Sequence, residues 1–117
     1  GFPKNPVNDW LVAEYKKRNN GTPPDFFVAG GMAAALAIVE GVKKAGGTDT
    51  EKLIAAMEGM SFDTPKGKMT FRKEDHQALQ VMYQWRMKKD PPETFDLLEL
   101  VREIPADEMK LPIKNKK

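Results

Sequence analysis

Ser61 and His76 are the sole serine and the sole histidine of the sequence. Nucleophilic catalysis of the Ser-His-Asp kind would have to run through that pair, with Asp63 or Asp75 as the orienting carboxylate. No G-x-S-x-G elbow surrounds Ser61, so nothing local would strain or expose it as a nucleophile. His76 lies in the polar link Arg72-Lys73-Glu74-Asp75-His76-Gln77, where a turn or capping role is ordinary. Glu74, Asp75 and His76 together offer too few ligands for a selective metal site, and the absence of cysteine removes thiolate zinc sites, disulfides and cysteine nucleophiles. The residues point to neither an enzyme nor a metal or cofactor.

Two other patterns bear on binding. Gly30-Gly31 precedes a helical run, and unpaired backbone donors at a helix start favour a phosphate or carboxylate. The pair is neither G-x-G-x-x-G nor a P-loop, and glycines at such turns mostly serve geometry. Tyr83 and Trp85 beside Arg86, Lys88 and Lys89 have the composition of a single-strand nucleic-acid platform. Both aromatics, however, fall on the apolar side of an alternating run, which is the pattern of core packing. The balance of 19 basic to 17 acidic residues, net +2, leaves no basic face beyond the terminal Lys110, Lys114, Lys116 and Lys117. No nucleic-acid partner is expected.

The elements that must position these residues follow from spacing and punctuation. Asn5-Pro6 is a helix start, and Val7, Trp10, Leu11 and Tyr15 carry helical spacing over Pro6 to Asn19, where Asn20-Gly21 and Pro23-Pro24 end it. Phe26 to Ala29 reads as a brief strand before Gly30-Gly31. A helix from Met32, with Leu36, Val39 and Val42 on its inner side, stops at Gly46-Gly47. Thr48 to Glu51 forms a capping box for a further helix ending at Gly59. Two short extended pieces flank the turn Pro65-Lys66-Gly67. Leu79, Val81, Tyr83, Trp85 and Met87 alternate as one half-buried strand, interrupted by Met82, and Phe95 to Ile104 is the returning strand before Pro105.

At 117 residues, 40% hydrophobic and 31% charged, the chain has room for one small folded unit and is not of disordered composition. The longest apolar run, Met32 to Val39, is well short of the roughly 20 residues of a membrane span. Gly1-Phe2-Pro3-Lys4 lacks the apolar region of a secretory signal.

The order of these motifs resembles that of branched-chain amino-acid-type substrate-binding proteins of ABC transporters. The resemblance rests on Asn5-Pro6-Val7-Asn8-Asp9-Trp10 leading to Tyr15-Lys16-Lys17-Arg18, and on Pro24-Asp25-Phe26-Phe27-Val28-Ala29-Gly30-Gly31-Met32-Ala33-Ala34-Ala35. It continues through Lys44-Ala45-Gly46-Gly47, Phe62-Asp63-Thr64-Pro65-Lys66-Gly67-Lys68-Met69-Thr70-Phe71, Asp75-His76-Gln77-Ala78 and Tyr83-Gln84-Trp85. It implies the C-terminal portion of a two-lobed α/β type I periplasmic binding protein, with helices first and a β-hairpin after. Residues 1–72 would be the last part of the first lobe and a crossover, and residues 73–117 the final hairpin of the second lobe and the tail. The implied function is delivery of an amino acid, or another small hydrophobic or aromatic carboxylate, to an ABC permease from the periplasm or cell exterior.

The ligand-contacting positions carried over are Gly30, Gly31 and Met32, at a turn by the mouth between the lobes. Leucine-binding members often have Tyr where this sequence has Met32, so an apolar wall is implied. The family's upstream Ser and Thr that grip the ligand have no counterpart here. The rival reading is a stand-alone helix-plus-hairpin interaction module. On either reading the Leu79 to Met87 face has too few partners within 117 residues, and self-association is expected to cover it. Sedimentation at roughly 10–50 µM, where exposed edges associate, should show dimers or larger species. A clean monomer with a cooperative melt would overturn that expectation.

Overall fold

The computed structural model describes residues 3–115. Three helices come first: α1 (Pro6–Arg18), α2 (Phe26–Ala45) and α3 (Thr50–Met57). Five strands follow: β1 (Ser61–Thr64), β2 (Gly67–Phe71), β3 (Ala78–Leu79), β4 (Met82–Met87) and β5 (Leu98–Ile104). β1, β2 and β3 form an antiparallel sheet in that order, and β4 and β5 form a separate two-stranded ribbon.

α1 starts as its sequence requires. The Asn5 side chain accepts from the Asn8 N–H at 2.9 Å, and Pro6 occupies the first turn. Leu11 and Asn8 face inward while Trp10 remains exposed. α2 differs from expectation. Phe26 to Ala29 is its first turn and not a strand, because the Asp25 carboxylate accepts from the N–H groups of Phe27 and Val28 at 3.0 and 3.1 Å. An acidic cap therefore outweighs the strand preference of two phenylalanines. The helix reaches 20 residues with a mean hydropathy of 1.6 in its most apolar window, so by length and composition it does meet the minimum for a membrane crossing. Only 17% of that window is buried within the described residues.

Its inner side also differs. Ala33, Ala37 and Gly41 are the buried positions, Leu36 is partly buried, and Val39 is exposed. Small residues are used because α3 comes close: a Cβ at Gly41 would sit 3.0 Å from the Met57 side chain. Ala33 and Ala37 pack with Met60, Phe62 and Met69 from the sheet, and the Phe62 and Phe71 rings lie 5.5 Å apart. α3 is capped by Asp49, which accepts from the Lys52 N–H at 3.1 Å, so the cap lies one residue later than expected and the Thr48 to Glu51 box does not form.

The turn between β1 and β2 joins the parts. Thr64, 1% exposed, donates its hydroxyl to the Gly67 carbonyl at 2.7 Å and accepts from the Lys66 N–H at 3.1 Å. Gly67 has φ +101, a conformation L side chains rarely adopt. The Pro65 carbonyl accepts from the Asn5 amide at 3.0 Å, and the Lys66 carbonyl from the Tyr83 hydroxyl at 2.5 Å. One turn thus holds the start of α1 and the ribbon together.

The expected strand over Leu79 to Met87 is two strands. β3 closes the three-stranded sheet, the pairing breaks at Gln80 and Val81, and β4 pairs with β5. Between Gln84 and Trp85 the partner steps from Arg102 to Leu100, a bulge that leaves Val101 without an opposite number. The returning strand begins at Leu98, with Phe95 in the connection. Lys88 and Asp96 pair at 2.6 Å across that connection.

The molecule is open for its size. Its radius of gyration is 16.5 Å, against about 13 Å for a compact chain of this length. Its accessible surface is 8416 Å², against about 6,400 Å² for a folded monomer of this mass. Phe26 and Phe27 are each 81% exposed and Met87 70%.

Two outcomes follow from the turn and from the ion pairs. Thr64→Val keeps the volume but removes the hydroxyl that bonds the Gly67 carbonyl and the Lys66 N–H, and should cost about 1–3 kcal/mol; Tyr83→Phe should cost about 0.5–1.5 kcal/mol. Urea midpoints check both, and an unchanged midpoint for Thr64→Val would show that the turn does not hold the fold. Asp75, hydrogen-bonded to Arg72, and Asp96, hydrogen-bonded to Lys88, both have carboxyls held below their ordinary range. Their pairs therefore contribute fully above about pH 4 and are lost as the pH falls through the lowered values. Circular dichroism at descending pH should show a transition only below that range.

Candidate ligand-binding site

A concavity of about 430 Å³ lies around the β1–β2 turn. Pro65 and Lys66 of the turn form one side. Asn8, Val12 and Lys16 come from α1, Asp25, Phe26 and Ala29 from the start of α2, and Tyr83, Trp85 and Leu98 from the ribbon. The helical spacing of Asn8, Val12 and Lys16 puts one residue per turn along this wall. Alternation along β4 puts Tyr83 and Trp85 there together, with ring centroids 5.9 Å apart.

The polar groups at this groove are largely committed to structure. Asp25 caps α2, Asn8 donates to the Pro3 carbonyl at 2.9 Å, and Tyr83 donates to Lys66. Burial, together with the negative charge of Glu103, pushes the Tyr83 phenol above its ordinary value, so it stays a protonated donor at neutral pH. What remains is an aromatic and aliphatic surface with the ammonium groups of Lys16 and Lys66 at its border. Such a surface suits an apolar or aromatic body, and Asp96, paired with Lys88, also borders it.

Gly30, Gly31 and Met32 lie elsewhere than the sequence implied. They are in the second turn of α2, so the helix start and its unpaired donors belong to Phe26 and its neighbours. Nothing lies within 4 Å of a Cβ at Gly30 or Gly31, and Met32 is half-buried. None of the three is among the residues lining the groove, although Ala29, the residue before them, is. Phe26 and Ala29 were missed as wall residues because the first turn of α2 read as a strand; the Asp25 cap was the signal for them.

The catalytic candidates are dispersed. Ser61 shares a hydrogen bond with Thr70 at 2.6 Å, and His76 with Glu58 at 2.9 Å. Asp63 pairs with Lys68 at 3.1 Å and Asp75 with Arg72. No group of three or more metal-ligating side chains comes together among the described residues.

The comparisons with known proteins agree with this architecture. Residues 2–92 match the periplasmic binding protein family. A crystal structure of an ABC-type branched-chain amino acid transporter from Rhodopseudomonas palustris is 66% identical, with a TM-score of 0.90, over 98% of this chain and 31% of that one. A solute binding protein of an ABC transporter from another strain of that species, solved with 3,4-dihydroxybenzoic acid, is 29% identical, with a TM-score of 0.69, over 87% of this chain and 28% of that one. The leucine-, isoleucine-, valine-, threonine- and alanine-binding protein of Pseudomonas aeruginosa is 34% identical over 70 residues, 60% of this chain and 18% of that protein. The chain therefore spans less than a third of the length of these relatives. By its matched residues and by its α/β architecture, the chain belongs to the periplasmic binding protein family.

Proposed function

We propose that this chain is the C-terminal portion of a solute-binding protein that delivers an amino acid or a hydrophobic or aromatic carboxylate to an ABC permease. The single observation that carries the reading is the 66% identical structure of an ABC-type branched-chain amino acid transporter, which superposes on nearly the whole chain. The relative solved with 3,4-dihydroxybenzoic acid supports an aromatic carboxylate as one ligand class. On this reading the protein is non-enzymatic and works in the periplasm or outside the cell. Residues 1–72 supply the last of the first lobe and a crossover. Residues 73–117 supply the final hairpin and the tail, with β3 the strand that stitches the second stretch to the first.

Gly30, Gly31 and Met32 are part of the same proposal, as a wall of the ligand cleft. The open space above the two glycines lets a ligand approach the helix backbone closely. Met32 offers a polarisable apolar contact where leucine-binding members often carry a phenol. The cleft side of α2 then runs over its first two turns, Phe26 to Met32, and closure around ligand shifts the lobes to the bound state.

The test uses the polypeptide that carries this sequence together with its first lobe. At 100 times its dissociation constant, a true ligand should stabilise that protein by about 2.7 kcal/mol. Leucine, phenylalanine and 3,4-dihydroxybenzoate are the probes for thermal shift and calorimetry. Met32→Tyr should favour hydroxylated probes by about 0.5–1.5 kcal/mol, one hydrogen bond, and Met32→Ala should weaken all apolar ones. Binding of every probe unchanged in both variants would remove Met32 from the cleft. No shift with any carboxylate would remove the function.

A further inference from the structure

The ribbon meets the rest of the molecule at a second joint, formed by Arg72. Its N–H donates to the Gln77 carbonyl and its carbonyl accepts from the His76 N–H, both at 2.8 Å, which closes the turn after β2. The side chain then makes two sets of bonds. Toward its own turn, Nε donates to Asp75 Oδ1 at 2.8 Å and Nη2 to Asp75 Oδ2 at 2.6 Å, a forked pair that fixes the guanidinium plane. Away from it, Nη1 donates to the Leu111 carbonyl at 2.7 Å and Nη2 to the Pro112 carbonyl at 3.1 Å.

These two acceptors are consecutive in sequence and 39 and 40 residues from Arg72. They belong to the segment that follows β5. The chain therefore leaves the three-stranded sheet through Gln80 and Val81, runs out and back along the ribbon, and returns to the residue that follows β2. Pro112 brings no N–H of its own to the site, so the donors there come from Arg72. The side chains of Arg72 and Asp75 are only 14% and 8% exposed. Most of the ribbon is exposed by comparison.

We propose that the Arg72–Asp75 fork is a strap that captures Leu111-Pro112 and thereby sets the angle between the β4–β5 ribbon and the helical, three-stranded unit. Arg72 is a positioning residue in this role. Its bearing on ligand binding rests on the function proposed above: a strapped joint pre-selects fewer arrangements of the two parts, and a less populated competent state weakens apparent affinity. Lysine cannot replace it, because a single ammonium lacks the fork that grips the carboxylate on one edge and two carbonyls on the other.

The chain has no cysteine, so spin labels at Lys44→Cys on α2 and Glu99→Cys on β5 report the distance between the two parts. A narrow distance distribution is expected for the 117-residue chain, broadened in Arg72→Ala and in Arg72→Lys while the helical circular dichroism persists. Trypsin cleavage after Lys110 and Lys114 should accelerate about tenfold in the same variants, as a locally released segment opens more often. Should Arg72→Ala fail to fold, deletion of Leu111 to Lys117 leaves Arg72 in place and must broaden the distribution equally. A parent distribution already broad, or one unchanged by loss of Arg72 or of the segment, overturns the strap. These readouts need no ligand. If they hold while the two-lobed protein binds no carboxylate, the strap stands and the function reading falls; if ligand binds and the distances do not move, the reverse is true.

Discussion

Two consecutive carbonyl oxygens, those of Pro65 and Lys66, hold this molecule together. A tight turn leaves such groups pointing outward, and a buried or half-buried carbonyl needs a donor. Here the donors come from two distant parts of the chain: the side-chain amide of Asn5, the cap residue of α1, and the Tyr83 hydroxyl of the ribbon. Thr64 and the positive φ of Gly67 fix the turn from within, so its acceptors have one direction each. The groove exists because three elements converge on these four residues without filling the space between them.

Around that turn the core is narrow. It consists of a few small and flexible side chains, Ala33, Ala37, Met60, Phe62 and Met69, between α2 and the sheet. α2 is apolar on nearly all sides, which is the composition of a helix meant to be covered on more than one face. Yet Phe27 and Ile38 remain exposed, at 81% and 63%. The excess surface and the wide radius of gyration have the same origin. The chain spans 31% of a relative that superposes on it with a TM-score of 0.90, and on the proposed reading both follow from its being one portion of a larger fold. The local caps and the turn specify each element, and on the proposed reading the exposed apolar faces are those that the rest of a two-lobed fold would cover.

Chemistry is dispersed in the same way. Ser61, His76, Asp63 and Asp75 each have a nearer partner than one another, so no reactive constellation forms. The side chains that converge are aromatic and aliphatic, and the charged pair Arg72 and Asp75 engages itself and nearby backbone. On the proposed reading, the polar groups orient the walls of a pocket and the apolar groups form them.

The sequence by itself determined the helices and the turns, since caps and breakers act over four or five residues. Asn5-Pro6, Gly46 and Pro65-Lys66-Gly67 stand where their chemistry requires. It also determined the family, through the order of motifs that are weak singly. Only the tertiary structure decided whether Phe26 to Ala29 is strand or helix, since the cap of one aspartate competes with the preference of two aromatics. It decided that Leu79 to Met87 breaks at Gln80 and Val81, because alternation reads the same whether a strand stays in one sheet or passes between two. And it decided that Arg72 meets Leu111 and Pro112, a contact across about 40 residues that no local pattern encodes, because a backbone carbonyl looks the same in every residue until the fold brings a donor to it.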